Sequence, residues 1–210
     1  MRLVKNTKGE CIAKNKTYST LLLDPPWDVE QKGALGAINH YPLMTLDRIK
    51  ALPVPELLDE DSHAWLWVTA ATLEKGYELL RGWGLTPRSI FIWIKPRMGL
   101  GVYLRNCAEF IILATKGKAP IEFKGQMNYG FFPLQEHSHK PEEVHKIIER
   151  CSPGTNGRLE MFARRRQHGW DCWGNEIDSD VNLEAHGFPV PKYSLKAKTI
   201  QKTTKGGEDA

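Results

Sequence analysis

Leu21-Leu22-Leu23-Asp24-Pro25-Pro26-Trp27 is the stretch that decides how this chain is built. Three successive leucines suit a strand covered on both faces. Two prolines then remove backbone donors and forbid further ladder pairing, so the strand ends at Asp24. Working outward, the apolar runs at 64–68, 90–94 and 110–114 read as further buried strands. Between them Leu73, Gly76, Tyr77, Leu80 and Gly84 recur at helical spacing, as do Val144, Ile147, Ile148 and Cys151 behind Pro141, Glu142 and Glu143. Strands alternating with helices predict an α/β fold with a mostly parallel sheet flanked by helices. Ligands of such sheets gather at the carboxyl ends of the strands, where Asp24 stands.

Composition narrows the class. The 210 residues are 41% hydrophobic and 26% charged, enough apolar material for one good-sized core. Residues 1–187 read as a single domain and 188–210, with five lysines and little apolar content, as a basic disordered tail. No apolar run is long enough for a bilayer, and residues 1–10 lead into no apolar leader segment. Cys11, Cys107, Cys151 and Cys172 form no CxxC pair, which suits a reducing cytoplasm. The net charge of +4 permits a nucleic-acid partner without arguing for one. Residues 28–45, 96–106 and 115–139 read as long loops, and loops of that length are usually functional or mobile. Trp65, Trp67 and Trp93 fall on strand positions and read as core. His137, His139 and His145 complete no ligand spacing, so no metal is expected. Gly99-Leu100-Gly101 has no third glycine where a dinucleotide fingerprint needs one.

The tetrapeptide also carries chemistry. A carboxylate, a rigidly presented carbonyl and an aromatic face together suit a planar exocyclic amine such as adenine N6. Its lone pair is delocalised into the ring unless acceptors hold its two hydrogens. Asp24 and the Pro25 carbonyl are candidates for those acceptors, and Trp27 for a stacking platform. Taken alone, the same residues are also a strand-terminating Asp-Pro turn.

From Leu21 to Ile177 the chain resembles the MT-A70 family of S-adenosylmethionine-dependent adenine N6-methyltransferases. The likeness lies in Asp24-Pro25-Pro26-Trp27, Tyr41-Pro42, Trp65-Leu66-Trp67-Val68-Thr69, Trp93-Ile94-Lys95, Ser138-His139-Lys140-Pro141, Ser152-Pro153-Gly154-Thr155, Glu160-Met161-Phe162 and Trp173-Gly174-Asn175-Glu176. The resemblance implies a Rossmann-like class I methyltransferase fold with permuted, beta-class motif order, in which 158–162 is the cofactor strand. It implies Asp24, Pro25, Pro26 and Trp27 as the catalytic corner. It also implies Asp24, Lys140, Glu160, Phe162, Arg164, Asn175 and Glu176 around S-adenosyl-L-methionine. Trp27, His40, Tyr41, Lys95 and Arg97 are then expected against the nucleic acid, with DNA favoured and RNA the alternative. A homodimer and a non-catalytic binding subunit are further readings of the same likeness. Ala163-Arg164-Arg165-Arg166 stands where the family often has Gly-Arg-Pro, and Glu176 where glutamine is frequent.

Overall fold

The computed structural model describes residues 3–5, 11–13, 16–28, 43–99, 103–134 and 139–188. His40, Tyr41 and the tail beyond Phe188 lie outside the described residues. Leu3–Lys5 (β1) and Cys11–Ala13 (β2) pair antiparallel as a small ladder of their own. The main sheet has seven strands: Tyr18–Leu23 (β3), Leu58–Val68 (β4), Thr86–Ile94 (β5), Ala108–Lys116 (β6), Tyr129–Phe131 (β7), Arg158–Met161 (β8) and Asp171–Trp173 (β9). Their spatial order is β7-β5-β6-β4-β3-β8-β9. Every pairing is parallel except those of β6 with its two neighbours, so six strands point one way and β6 alone runs back between β4 and β5.

All six residues of β3 are buried, as its apolar run requires of a central strand. Side chains alternate between two cores. Leu21, Leu23, Leu66 and Val68 pack on one face with Ile49 of Leu46–Lys50 (α1), Leu57 of Val54–Leu57 (α2) and Leu79 and Leu80 of Leu73–Gly82 (α3). Leu22, Trp65, Trp67 and Trp93 pack on the other with Val144, Ile147, Ile148 and Cys151 of Glu143–Cys151 (α4). Each such side chain contributes ~1.5–3 kcal/mol when fully buried, so covering both faces is what fixes the layering. The three tryptophans read as core are indeed buried.

Three expectations shift. The helical pattern extended to Gly84, but α3 stops at Gly82. Gly84 takes φ 74°, its N–H reaching Arg81 O while Leu85 N–H reaches Leu80 O, a helix stop that needs the left-handed conformation glycine adopts freely. The loop expected over 115–139 contains β7, paired to β5 with Phe131 opposite Ile94. Phe188, the first residue of the expected tail, is buried beneath the Arg48 guanidinium, 4.1 Å from its ring.

Candidate active site

Asp24 leaves β3 at the centre of the sheet's carboxyl edge. Its N–H donates to Met161 O at 3.4 Å, tying the corner to the end of β8. Trp27 N–H closes a three-residue turn on Pro25 O at 2.8 Å, and Met44 N–H donates to Pro26 O at 2.7 Å. The Pro25 carbonyl thus keeps one lone pair for another donor. Trp27 spends its indole N–H on Trp67 O at 3.0 Å, which pins the half-buried ring beside the end of β4.

Charges of alternating sign run along this edge. Lys140 Nζ stands 2.9 Å from Asp24 Oδ2 and 3.3 Å from Glu109 Oε2, and Lys95 pairs with the other Glu109 oxygen. The ammonium of Lys140 lies 5.1 Å from the centre of the Trp67 ring and that of Lys95 4.9 Å from Trp93, two rings meeting edge to face at 6.1 Å. The tryptophans are therefore both core and floor, and their π faces favour cations above them. Burial alone would depress the Lys140 ammonium; Asp24 and Glu109 override it and hold it above the usual lysine range. Burial opposes ionisation of Glu109 too, but Lys140 and Lys95 keep its carboxyl below the ordinary value. At Asp24 burial outweighs the pull of Lys140, and the carboxylates of Glu109 and Glu160 add to it, so its pKa is raised. Its side chain nonetheless keeps 34% of its surface open, against 22% for Lys140 and 19% for Glu109. Asp24 is the carboxylate of the set whose charged form burial disfavours on balance, and it is the most open of the three.

Asp24, Lys140, Glu160, Phe162, Arg164 and Arg166 line one cleft. Glu160 alternates away from the buried Leu159 and Met161, toward α4, where His145 Nε2 lies 2.9 Å from its Oε2. The other ring nitrogen of His145, also a lining residue, is buried with no hydrogen-bond partner among the described residues. Phe162, the first residue after β8, has φ 66°, a left-handed conformation costing about 1–3 kcal/mol in a residue with a β-carbon. Its ring meets Trp173 edge-on at 5.2 Å. Ala163 N–H donates to Trp173 O at 3.0 Å, and a β-carbon on Gly174 would stand 1.8 Å from Ala163 O. The exits of β8 and β9 are thereby pressed together, and Arg164 Nε reaches Glu176 Oε1 at 2.9 Å.

The structure thus gathers Asp24, Lys140, Glu160, Phe162 and Arg164 at one cleft, with Glu176 joined through Arg164. Asn175 follows β9 close by but is not among the residues lining the cleft. Lys95 joins through Glu109, while Arg97 is exposed in the loop after β5. Arg166, the last of the arginine run, donates to Asp178 O and Asp180 Oδ1, both at 2.7 Å. Glu109 was missed by sequence reasoning. The signal was a lone acid opening the apolar run of β6, and it meant little without the knowledge that β6 runs backward, which puts the start of that strand at the carboxyl edge of the others. Among the described residues no group of three or more His, Cys, Asp or Glu side chains is placed to hold a metal, and no helix is long and apolar enough to cross a membrane.

The MT-A70 family profile matches residues 18–176, most of the chain, and the protein belongs to that family. The chain is 33% identical over 172 residues to the N(6)-adenosine-methyltransferase MT-A70-like protein of Drosophila melanogaster, covering 77% of this chain and 27% of that one. It is 31% identical over 173 residues to the human N(6)-adenosine-methyltransferase catalytic subunit METTL3, covering 77% and 28%. The type II methyltransferase M.MunI of a Mycoplasma species is 28% identical over 197 residues, covering 82% of this chain and 83% of its own. The chain therefore spans little more than a quarter of the length of the animal relatives but most of the length of the Mycoplasma one.

Proposed function

We propose that this MT-A70 protein transfers a methyl group from S-adenosylmethionine to the N6 amine of adenine in DNA, with the base held at Asp24-Pro25-Pro26-Trp27. The observation that carries the reading is Asp24, held by Lys140 at the mouth of a cleft whose other walls are Glu160, Phe162 and Arg164. The donor set suits the methyl donor's parts. Carboxylates accept from ribose hydroxyls, an aromatic ring covers adenine and a guanidinium meets a carboxylate. S-adenosylmethionine supplies a methyl group on a sulfonium, which departs as a neutral thioether when an amine attacks.

The chain's residues perform the rest by placement. The Asp24 carboxylate and the spare lone pair of Pro25 O accept the two amine hydrogens, drawing the nitrogen out of conjugation with its ring and aiming its lone pair into the cleft. Lys140 opposes the rise that burial imposes on Asp24 and so favours its ionised, accepting form. Glu109 and Lys95 hold Lys140 from behind, which makes them positioning residues. No base is needed before attack, because the alkylated nitrogen is itself a strong acid and releases its proton to water afterwards.

Support for DNA comes from a relative matched over most of the length of both chains, a type II methyltransferase. RNA is the second reading, favoured by the higher identity to two N(6)-adenosine-methyltransferases. Incubating the protein with S-adenosylmethionine and either DNA or RNA, followed by nucleoside mass spectrometry, tests both. N6-methyldeoxyadenosine is the expected product. N6-methyladenosine alone selects the second reading, and no methylated nucleoside from either polymer refutes the enzyme.

A further inference from the structure

The charged edge continues beyond the cleft. Asp24, Lys140, Glu109 and Lys95 form a row from β3 across to β5, and past Lys95 the chain enters the loop 96–106. Residues 95–107 include Lys95, Arg97 and Arg105 and no acid. The neck of the loop is closed by Lys95 N–H on Cys107 O at 2.7 Å and Gly99 N–H on Asn106 O at 2.8 Å, so what it carries is presented from a fixed base. Tyr103 is 100% exposed there. At the same edge of the sheet, on the strand next to the one the loop leaves, Phe131 ends β7 opposite Ile94 and is 70% exposed, its ring edge-on to Tyr129 at 5.9 Å. Large aromatics in full contact with water add nothing to the core. Interleaved with Arg97 and Arg105, which pair with no acid among the described residues, they fit a polyanion whose units present flat π faces.

We propose that Arg97, Tyr103, Arg105 and Phe131 bind single-stranded nucleic acid, holding the segment that flanks the adenine at Asp24. The inference rests on the reading above and names the form of its substrate. Charge complementarity selects the occupant, since phosphates answer the arginines. A duplex keeps its base faces stacked on one another, whereas an open strand offers them to Tyr103 and Phe131. Phe131 stands four strands from Asp24, about 19 Å at ~4.8 Å per strand. That is the span of roughly five or six stacked nucleotides at ~3.4 Å each.

Fluorescence anisotropy with the full chain and S-adenosylmethionine, using a labelled mixed-sequence DNA 16-mer alone or annealed to its complement, tests this. The open strand is expected to bind more tightly than the duplex. Tyr103→Ala and Phe131→Ala should each weaken it roughly five- to hundredfold. The double variant Arg97→Ala/Arg105→Ala should flatten the slope of log affinity against log salt by about 1.4, two phosphate contacts at ~0.7 each. Circular dichroism and S-adenosylmethionine binding by equilibrium dialysis should not change in any variant. Equal strand affinity in both aromatic variants overturns the proposal. So does tighter binding of the duplex, or a change in sedimentation from dimer to monomer in place of lost DNA affinity. Strand binding that depends on Tyr103 without adenine methylation upholds this surface while refuting the enzymatic reading; methylation with Tyr103-independent binding does the reverse.

Discussion

His63, Trp65 and Trp67 project from the same face of β4, yet the polar groups at the two ends of this row of three are handled in opposite ways. At His63 everything is neutral and spent. His63 Nε2 lies 3.1 Å from Ala119 O, which can only accept, so that nitrogen carries the proton. Nδ1 then accepts from Ser152 Oγ at 2.8 Å, and the same oxygen accepts Trp65 Nε1–H at 2.8 Å. At Trp67, two residues beyond Trp65, ions take over: Lys140 lies over the ring between two carboxylates, partly open to water. Burying charge is expensive unless it is paired, while a satisfied neutral network is not. The neutral end therefore serves folding, and the charged end keeps acceptors available to a ligand.

Single substitutions should separate these two roles. The largest effect is expected from Asp24→Ala, which should lower methyl transfer at least ~10²–10³-fold, as removal of one well-aimed polar group does elsewhere. Nucleoside mass spectrometry measures this, and an unchanged urea midpoint shows the fold is intact; near-normal turnover would break the division between the two ends. Ser152→Ala should do the converse. It leaves the Trp65 N–H and the His63 acceptor buried and unpaired, a loss of about 2–4 kcal/mol in urea unfolding at pH 7, with turnover per folded molecule kept within about twofold.

Acidity should act on the two ends with opposite sign. Burial holds the His63 pKa below the ordinary 6.5, so around and below that value the unfolded chain binds more protons than the folded one. The urea midpoint should fall as pH drops from about 7 toward 5, and His63→Gln should lose that dependence. Asp24 is raised from 3.8, so its protonation favours the folded state while removing its acceptor. Its signature is an acid limb in kcat/KM lying above pH 3.8, absent from stability loss. The smallest effect is expected at Glu78→Ala, whose bridge to Lys50 is exposed, screened and outside the cleft: neither turnover nor the urea midpoint should shift measurably.

The central strands and the corner at Asp24 were legible because buried strands show unbroken apolar runs and two prolines can only end one. Strand direction was not. Nothing in Ala108–Lys116 states which way it runs, since that depends on what its neighbours pair with, and Glu109 stayed hidden with it. β7 was illegible at three residues, with a glycine at its centre because Phe132 and Phe91 occupy the space a side chain would take. The first half of β4 is polar, so periodicity showed only 64–68 of a strand that begins at Leu58. The left-handed backbone of Phe162 leaves no trace in its residue type, since phenylalanine rarely adopts it.

The contact of Gly174 with the Ala163 carbonyl has a bearing on selectivity. Where the spacing of a wall is set by side chains, a change of rotamer can widen it for a bulkier guest. Here main-chain atoms of two strand exits abut directly, between Phe162 and Arg164 of the cleft lining, so the backbone that carries those two residues has a fixed gauge and only their side chains are left to adapt to a guest.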